Sequence, residues 1–509
     1  MRSLPLPLCL LPLLLLAGCS VGPDYKRPRV DADLAIPADW HWKQAEPNDA
    51  VARGPWWSLY HDPGLDALET AAVAQNQDLR AAVARVDQGR AQARLSGADF
   101  FPQLTLDAQA ERERTPANSP QYKIFNFPGI TIPSATYNSF SVPVDLSYEL
   151  DVWGRVRRSF ESQTAQAQAD VADFENILLT LTSDVAIDYF TLRQYDAEVR
   201  ILRQTVATRE KSLDISQKRV RAGEATALDV HQAETELANS QADLAQVSQS
   251  RAQTQDALAY LTGQAAPNFS LPENPLSTSD LPPNVPVGLP AALLERRPDI
   301  AKAERTMAAK NAEIGVAIAG YYPQISLTGQ FGYLSASASN LFTLPSEAWS
   351  FGPTVQLPLF TAGKTSAQVK SARAEYDEAV ADYRASVLGA FRDVEDSLAA
   401  QRYLAQQAEA LDRASVASSQ ARQLSEERYK SGQINYFEVT DSQRTELAAQ
   451  RAQAQVVGQR LYASIRLIKA LGGGWDQIAL RAEEPGAGII PGSEAALPAA
   501  ATAPETAAH

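Results

Sequence analysis

The chain contains two copies of one pattern, and that duplication limits its fold more than any other feature. Asp78, Ala82 and Phe101-Pro102-Gln103 recur 221 residues later as Asp299, Ala303 and Tyr322-Pro323-Gln324. Gly154 answers Gly363, and Arg219-x-x-x-Gly223 with Asp229-Val230 answers Arg428-x-x-x-Gly432 with Glu438-Val439, now at an offset of 209. A period near 200 residues is far longer than the roughly 50 residues of a solenoid unit, so each copy is a whole structural unit. The offset falls by 12 between residues 103 and 154, so the first copy carries 12 extra residues there.

The opening stretch has Arg2, an apolar run Leu4 to Ala17, and then Gly18-Cys19. A charged start, a short apolar core and a small-residue cleavage site are the marks of a secretory signal, here residues 1–18. Leu16-Ala17-Gly18-Cys19 resembles a bacterial lipobox, which makes Cys19 the expected lipidation site and residues 19–64 a lipidated N-terminal segment. Cys9 is the second cysteine, and it leaves with the signal, so the mature chain can form no internal disulfide. A net charge of -14 argues against nucleic acid, which needs a basic face. After Ala17 no apolar run reaches the roughly 18 residues of a membrane helix. If the mature chain crosses a membrane, it does so as strands.

The residues after each Pro-Gln have a period of two. Leu104, Leu106, Ala108 and Ala110 alternate with Thr105, Asp107, Gln109 and Glu111, and Phe140 to Leu150 alternate with Ser141, Pro143, Asp145, Ser147 and Glu149. The second copy repeats this over Ile325 to Tyr333 and Trp349 to Leu359. Runs of about 10 residues, apolar on one face and polar on the other, are expected of barrel strands between lipid and a wet lumen. The 12 extra residues fall in a polar loop with Pro116, Pro120, Pro128 and Pro133, and long loops face the cell exterior in such barrels.

Each hairpin, about 103–152 and 324–360, leads into a long helix, Arg155 to Arg221 and Lys364 to Lys430. From Val171 to Val206, eleven apolar residues advance 35 positions in ten steps, a period of 3.5. That is a coiled-coil seam. At about 1.5 Å per residue the helix is roughly 100 Å long. Gly223 and Gly432 break the helices, and second helices return to Gly263 and Gly472-Gly473. Repeat 1 therefore spans 65–263, with its helical hairpin at 155–262, and repeat 2 spans 291–474, with its hairpin at 364–471. A Pro-rich connector, 264–290, joins them, and residues 475–509 read as a disordered tail.

Four strands per chain cannot close a barrel, because the smallest membrane barrels have about eight. Open edges are not tolerated in lipid, so several chains must pool strands. A wet interior favours three or more chains.

Cys19-Ser-Val-Gly-Pro-Asp-Tyr25-Lys-Arg-Pro28, Arg296-Arg297-Pro298-Asp299-Ile300, the paired Pro-Gln turns and the paired Arg-x-x-x-Gly tips resemble the TolC-like outer membrane factors, in their lipoprotein branch. The resemblance covers nearly the whole mature chain. It implies a mixed α/β membrane protein, a homotrimer with a 12-stranded β-barrel in outer-membrane lipid continuing into an α-helical periplasmic tunnel. It further implies a periplasmic adaptor (a membrane fusion protein) and an inner-membrane pump of the RND class as partners. The function implied is passive exit of drugs or other small molecules from a Gram-negative cell. A protein-secretion duct and a non-conducting coiled-coil scaffold are the alternatives.

The resemblance also implies a periplasmic constriction of acidic rings at Glu438 and Asp441, with Asp229 at the first tip. Arg219, Gly223, Arg428, Tyr429 and Gly432 are the implied adaptor-facing tips. Thr226-x-x-Asp229 and Asn435-x-x-Glu438 compete as helix capping boxes, whereas Asp441 lies beyond the cap. Ile434 is apolar where some relatives carry a basic residue, which argues against an ion-pair latch at that point. No cofactor beyond the lipid and no enzyme activity is expected. His41, His61, His231 and His509 lack metal-site spacing, and Gly363-Lys364-Thr365 fails as a phosphate loop because Pro358 stands where glycine is needed. Trp40, Trp42, Trp56 and Trp57 are expected to pack against the helical body.

Overall fold

The computed structural model describes residues 20–26, 54–117, 134–283 and 297–473. The signal, Cys19, Trp40, Trp42, most of the 12-residue loop, the end of the connector and the tail lie outside the described residues.

Repeat 1 begins with a 3-10 turn, Trp56–Tyr60, followed by α1 (Pro63–Gln75) and α2 (Gln77–Ala98). Asn76 divides this helical stretch in two. Its backbone N–H closes α1 on Ala72 O, while its side chain accepts the Leu79 N–H of α2. Its Nδ2 donates to Leu261 O, so a tertiary contact fixes the break. Trp56 is buried, its ring N–H 3.2 Å from Thr182 Oγ1, which is the expected packing role.

The strands are β1 (Gln103–Leu106), β2 (Gln109–Thr115), β3 (Ala135–Glu149), β4 (Gln324–Ser335) and β5 (Glu347–Gln356). All pairs are antiparallel, with β1 and β2 both on β3, then β4, then β5. β1 and β2 keep one register against β3. Between them Asp107 stands opposite Pro143, which has no N–H to give to the ladder, although Asp107 N–H still reaches Pro143 O at 3.0 Å. The alternation carries across the whole sheet. Leu104 faces Leu146, Val144 faces Phe331 and Phe331 faces Trp349, while Thr105 faces Asp145, Asp145 faces Gln330 and Gln330 faces Ser350. One face of the sheet is therefore apolar and the other polar. Gly332 is required where it stands, since a Cβ there would fall 2.3 Å from Val142 O.

The long helices are α3 (Arg155–Arg221), with return helix α4 (Ala227–Leu261), and α6 (Lys364–Lys430), with return helix α7 (Tyr436–Ala470); α5 (Pro298–Ala319) opens the second copy. Gly154 and Gly363 enter α3 and α6 at φ 82° and 86°, a left-handed turn that suits glycine. The main core gathers Val185, Tyr189 and Leu192 from the middle of α3, Leu65 and Leu68 from α1, and Leu258, Ile465 and Ile468 from the C-terminal ends of α4 and α7. The connector is less free than its prolines suggest. Buried Asp196 accepts from Arg193 and Arg251 and from the Asn274 N–H at 2.9 Å, and Arg251 Nη2 holds Leu271 O at 3.1 Å.

Candidate functional site: the hairpin tips

The paired Arg-x-x-x-Gly motifs have a common geometric cause. In the first, Gly223 N–H donates to Val220 O at 3.0 Å and Glu224 N–H to Arg219 O at 2.9 Å. In the second, Gly432 N–H donates to Tyr429 O at 3.0 Å and Gln433 N–H to Arg428 O at 2.9 Å. Each is a Schellman closure, with glycine in the left-handed conformation just past the helix. The arginines sit in the last turn, where positive charge complements the helix dipole. The two tips also touch. Arg219 lies over the Tyr429 ring at 4.7 Å, and Tyr429 leans on Tyr436 at 5.6 Å.

The two return helices are capped differently. Thr226 and Asp229 form a reciprocal box, with Thr226 N–H donating to the Asp229 carboxylate at 3.0 Å. In the second tip Asn435 Oδ1 accepts the Glu438 N–H at 3.2 Å, and that cap is made by the Asn435 side chain alone. Asp229 is thus engaged in capping and half-buried, whereas Glu438 and Asp441 are exposed. Phe437, Asp441 and Arg444 follow one another along an exposed stripe of α7.

Ile434 packs into an apolar cluster with Ala233, Tyr436 and Val439. The ion pairing between hairpins occurs further along. Arg444 Nε donates to Glu236 Oε1 at 2.9 Å, and Glu236 also pairs with buried Arg209 at 3.0 Å. One heptad on, Arg451 reaches Glu198 at 3.3 Å and Asp243 at 3.4 Å. The sequence reading missed these residues. The available signal was Arg444 and Arg451 seven apart on α7, against Glu236 and Asp243 seven apart on α4.

Burial pushes the Arg209 guanidinium below its usual range, and Glu236 counters this, while Glu236 raises that of Arg444. With one carboxylate set between two guanidiniums, the arrangement is an electrostatic clasp. Among the described residues no cluster of His, Cys, Asp and Glu could hold a metal, and no helix is long and apolar enough to cross a membrane.

The family model for outer membrane efflux proteins matches residues 68–264 and 289–473, the two repeats. The chain is 33% identical over 466 residues to the probable efflux pump outer membrane protein TtgC of Pseudomonas putida, covering 91% of this chain and 94% of that one. It is 34% identical over 475 residues to the outer membrane protein OprJ of Pseudomonas aeruginosa, covering 92% and 95%. A solved structure of CusC, studied for folding and transmembrane channel formation, superposes with a TM-score of 0.76 at 29% identity, covering 90% of this chain and 100% of that one. An apolar-faced sheet, two helical hairpins of unequal tips and matches along nearly the whole length converge on one assignment: the chain belongs to the outer membrane efflux protein family.

Proposed function

We propose that the protein is the outer-membrane exit duct of a tripartite efflux system. On this reading it works as a homotrimer, receives small molecules from an RND-class inner-membrane pump through a periplasmic adaptor, and is anchored by lipid on Cys19. The observation that carries the reading is the register of the sheet. It places Val144, Phe331, Trp349 and Phe351 on one face and Asp145, Gln330 and Ser350 on the other. On the apolar face Trp349 is 73% exposed in the single chain, a patch that water does not tolerate and lipid does. Among the described residues, the free edges of β1–β2 and of β5 have no ladder partner. With β1 and β2 counted as one interrupted strand, three copies joined edge to edge give twelve strands, and no edge remains in lipid.

Six helical hairpins of two alternating kinds then form the periplasmic tunnel. Glu438 and Asp441, exposed near the second tip, supply rings of three carboxylates that attract cations and repel anions at a narrow entrance. Arg219, Gly223, Arg428, Tyr429 and Gly432 face the adaptor.

The system-level test is a deletion strain challenged with chemically unrelated compounds. Hypersensitivity to several, restored by the wild-type chain, is expected; unchanged susceptibility to all of them sinks the efflux reading in favour of secretion or scaffolding. At the gate, Asp441→Ala should raise single-channel conductance and weaken cation preference in a planar bilayer. An unaltered channel would remove Asp441 from the constriction.

A further inference from the structure

A cleft of about 120 Å³ lies where α3, α6 and α7 meet, with Arg209 on the α3 wall, Arg422 on the α6 wall and Gln443, Glu446 and Gln450 on the α7 wall. It has room for a small ion and its nearest waters. The Arg209 side chain is only 5% exposed. Its contacts to Glu236 O at 2.6 Å, to Ser240 Oγ and to the Glu236 carboxylate at 3.0 Å all run through Nη1. Arg209 Nε is buried and has no hydrogen-bond partner among the described residues. Buried donors of this kind normally meet an acceptor.

Charge is divided unevenly around the cleft. At one end Arg209 and Arg444 share the carboxylate of Glu236, and the next acid along α4, Asp243, pairs with Arg451. At the other end the single guanidinium of Arg422 has two carboxylates, Glu426 at 2.8 Å and Glu446 at 2.5 Å. Positive charge is therefore in excess beside Arg209. A water molecule would accept a hydrogen bond there and leave the excess standing, whereas an anion answers both needs. Amides supply further donors. Gln443 Nε2 gives one N–H to Glu426 at 3.2 Å and keeps a second, and Gln204 and Gln450 also line the cleft. The Thr205 and Thr208 hydroxyls donate to Ile201 O and Gln204 O, both at 2.9 Å, so they add no donor. With Glu446 in the wall and one excess cation, the cleft suits one negative charge and not two. The second copy has Ala414, Ala417 and Ser418 at the positions of Thr205, Thr208 and Arg209, so the arginine wall is built once per chain.

We propose that this cleft binds a small monovalent anion of the halide class, held by the Arg209 guanidinium and the side-chain amides of Gln443 and Gln450. Its walls come from α3 of the first copy and from α6 and α7 of the second. A bound anion therefore ties the two hairpins of the chain together beside the Arg444–Glu236 clasp, and anything that binds the folded arrangement alone stabilises it.

Two measurements on the full-length protein test this. Crystals of the wild type grown with sodium bromide in place of chloride should show an anomalous peak in the cleft beside Arg209. Water alone at that place, or no density, overturns the site. In detergent solution at constant ionic strength, amide exchange over residues 201–209 and 443–450 is compared in chloride and in gluconate, an anion too large for the cleft. Exchange in the wild type should be at least threefold slower in chloride. Gln450→Leu removes one donor and fills space while leaving the Arg209–Glu236 pair in place. It should abolish that difference and keep the protection of Val185–Leu192, which shows that the variant is folded. A chloride effect of the same size in Gln450→Leu would belong to the surface at large and would overturn the proposal, as would no chloride effect in the wild type.

Discussion

Arg444 on the second return helix grips Glu236 on the first, 208 residues earlier in the chain, and holds the two hairpins of the chain together near their tips. Glu236 is buried and has a second cation in Arg209, whose side chain is buried with it. The two arginines should therefore behave unequally. Arg444 is half in solvent, so Arg444→Ala should cost about 1 kcal/mol or less of stability. Arg209→Ala removes the buried partner and should cost about 3–5 kcal/mol. Arg444→Ala should also lengthen channel openings, because the clasp between hairpins is gone. Equal melting temperatures for the two variants would show that burial does not set the difference.

Glu69 gives a pH prediction of definite sign. It is 0% exposed within α1, neither carboxylate oxygen has a hydrogen-bond partner among the described residues, and burial, with Asp66 adding to it, pushes its carboxyl up to about 9. The folded state then holds a proton that the unfolded chain releases above its ordinary value near 4.5. Stability from this site is complete below pH 4.5 and declines as pH rises towards 9. Glu69→Gln, neutral at every pH, should therefore be the more stable protein at pH 7 by on the order of 3 kcal/mol. The gain should vanish near pH 4. Thermal unfolding followed by circular dichroism at both pH values decides it, and a gain independent of pH would contradict the buried neutral acid.

Much of the fold was legible because its two periods are physical. Alternation of Leu104, Leu106 and their partners put one apolar face on the sheet, and the 3.5 spacing from Val171 to Val206 marked a helix buried on one side. What stayed hidden depends on distant partners. The break at Asn76 is completed by Leu261 O, and nothing local in Gln75-Asn76-Gln77 demands it. The gap at Asp107 depends on Pro143 across the ladder. The docking of the connector depends on Asp196, an acid within a helix that reads as solvent-facing until Arg193, Arg251 and the Asn274 N–H are found around it. At the tips the motif glycines were readable as helix stops, but the Glu236 clasp was not, because heptad spacing identifies a stripe and leaves its partner open.

The unequal caps separate Asp229 from Asp441. Asp229→Ala removes the acceptor that holds Thr226 N–H at 3.0 Å, and should cost about 1 kcal/mol. It should leave ion preference unchanged. Asp441→Ala should do the reverse, because Asp441 caps nothing. Paired melting curves and bilayer recordings test both, and a selectivity change from Asp229→Ala would move the first tip into the gate.

The two faces of the sheet supply the sharpest contrast. Phe331 stands opposite Val144 and Trp349 on the apolar face, and the adjacent Gln330 stands opposite Asp145 and Ser350, with its Nε2 2.9 Å from the Asp145 carboxylate. A cation on a lipid-facing strand position costs about 2–4 kcal/mol near the bilayer midplane. Phe331→Lys should therefore sharply reduce the folded, heat-modifiable form recovered from membranes. Gln330→Lys, one residue away but on the polar face, should fold at wild-type yield and shift ion preference towards anions, because the new ammonium offsets Asp145. If the two lysine variants assembled equally well, neither face would be in lipid. If Gln330→Lys alone failed, the faces would be assigned the wrong way round.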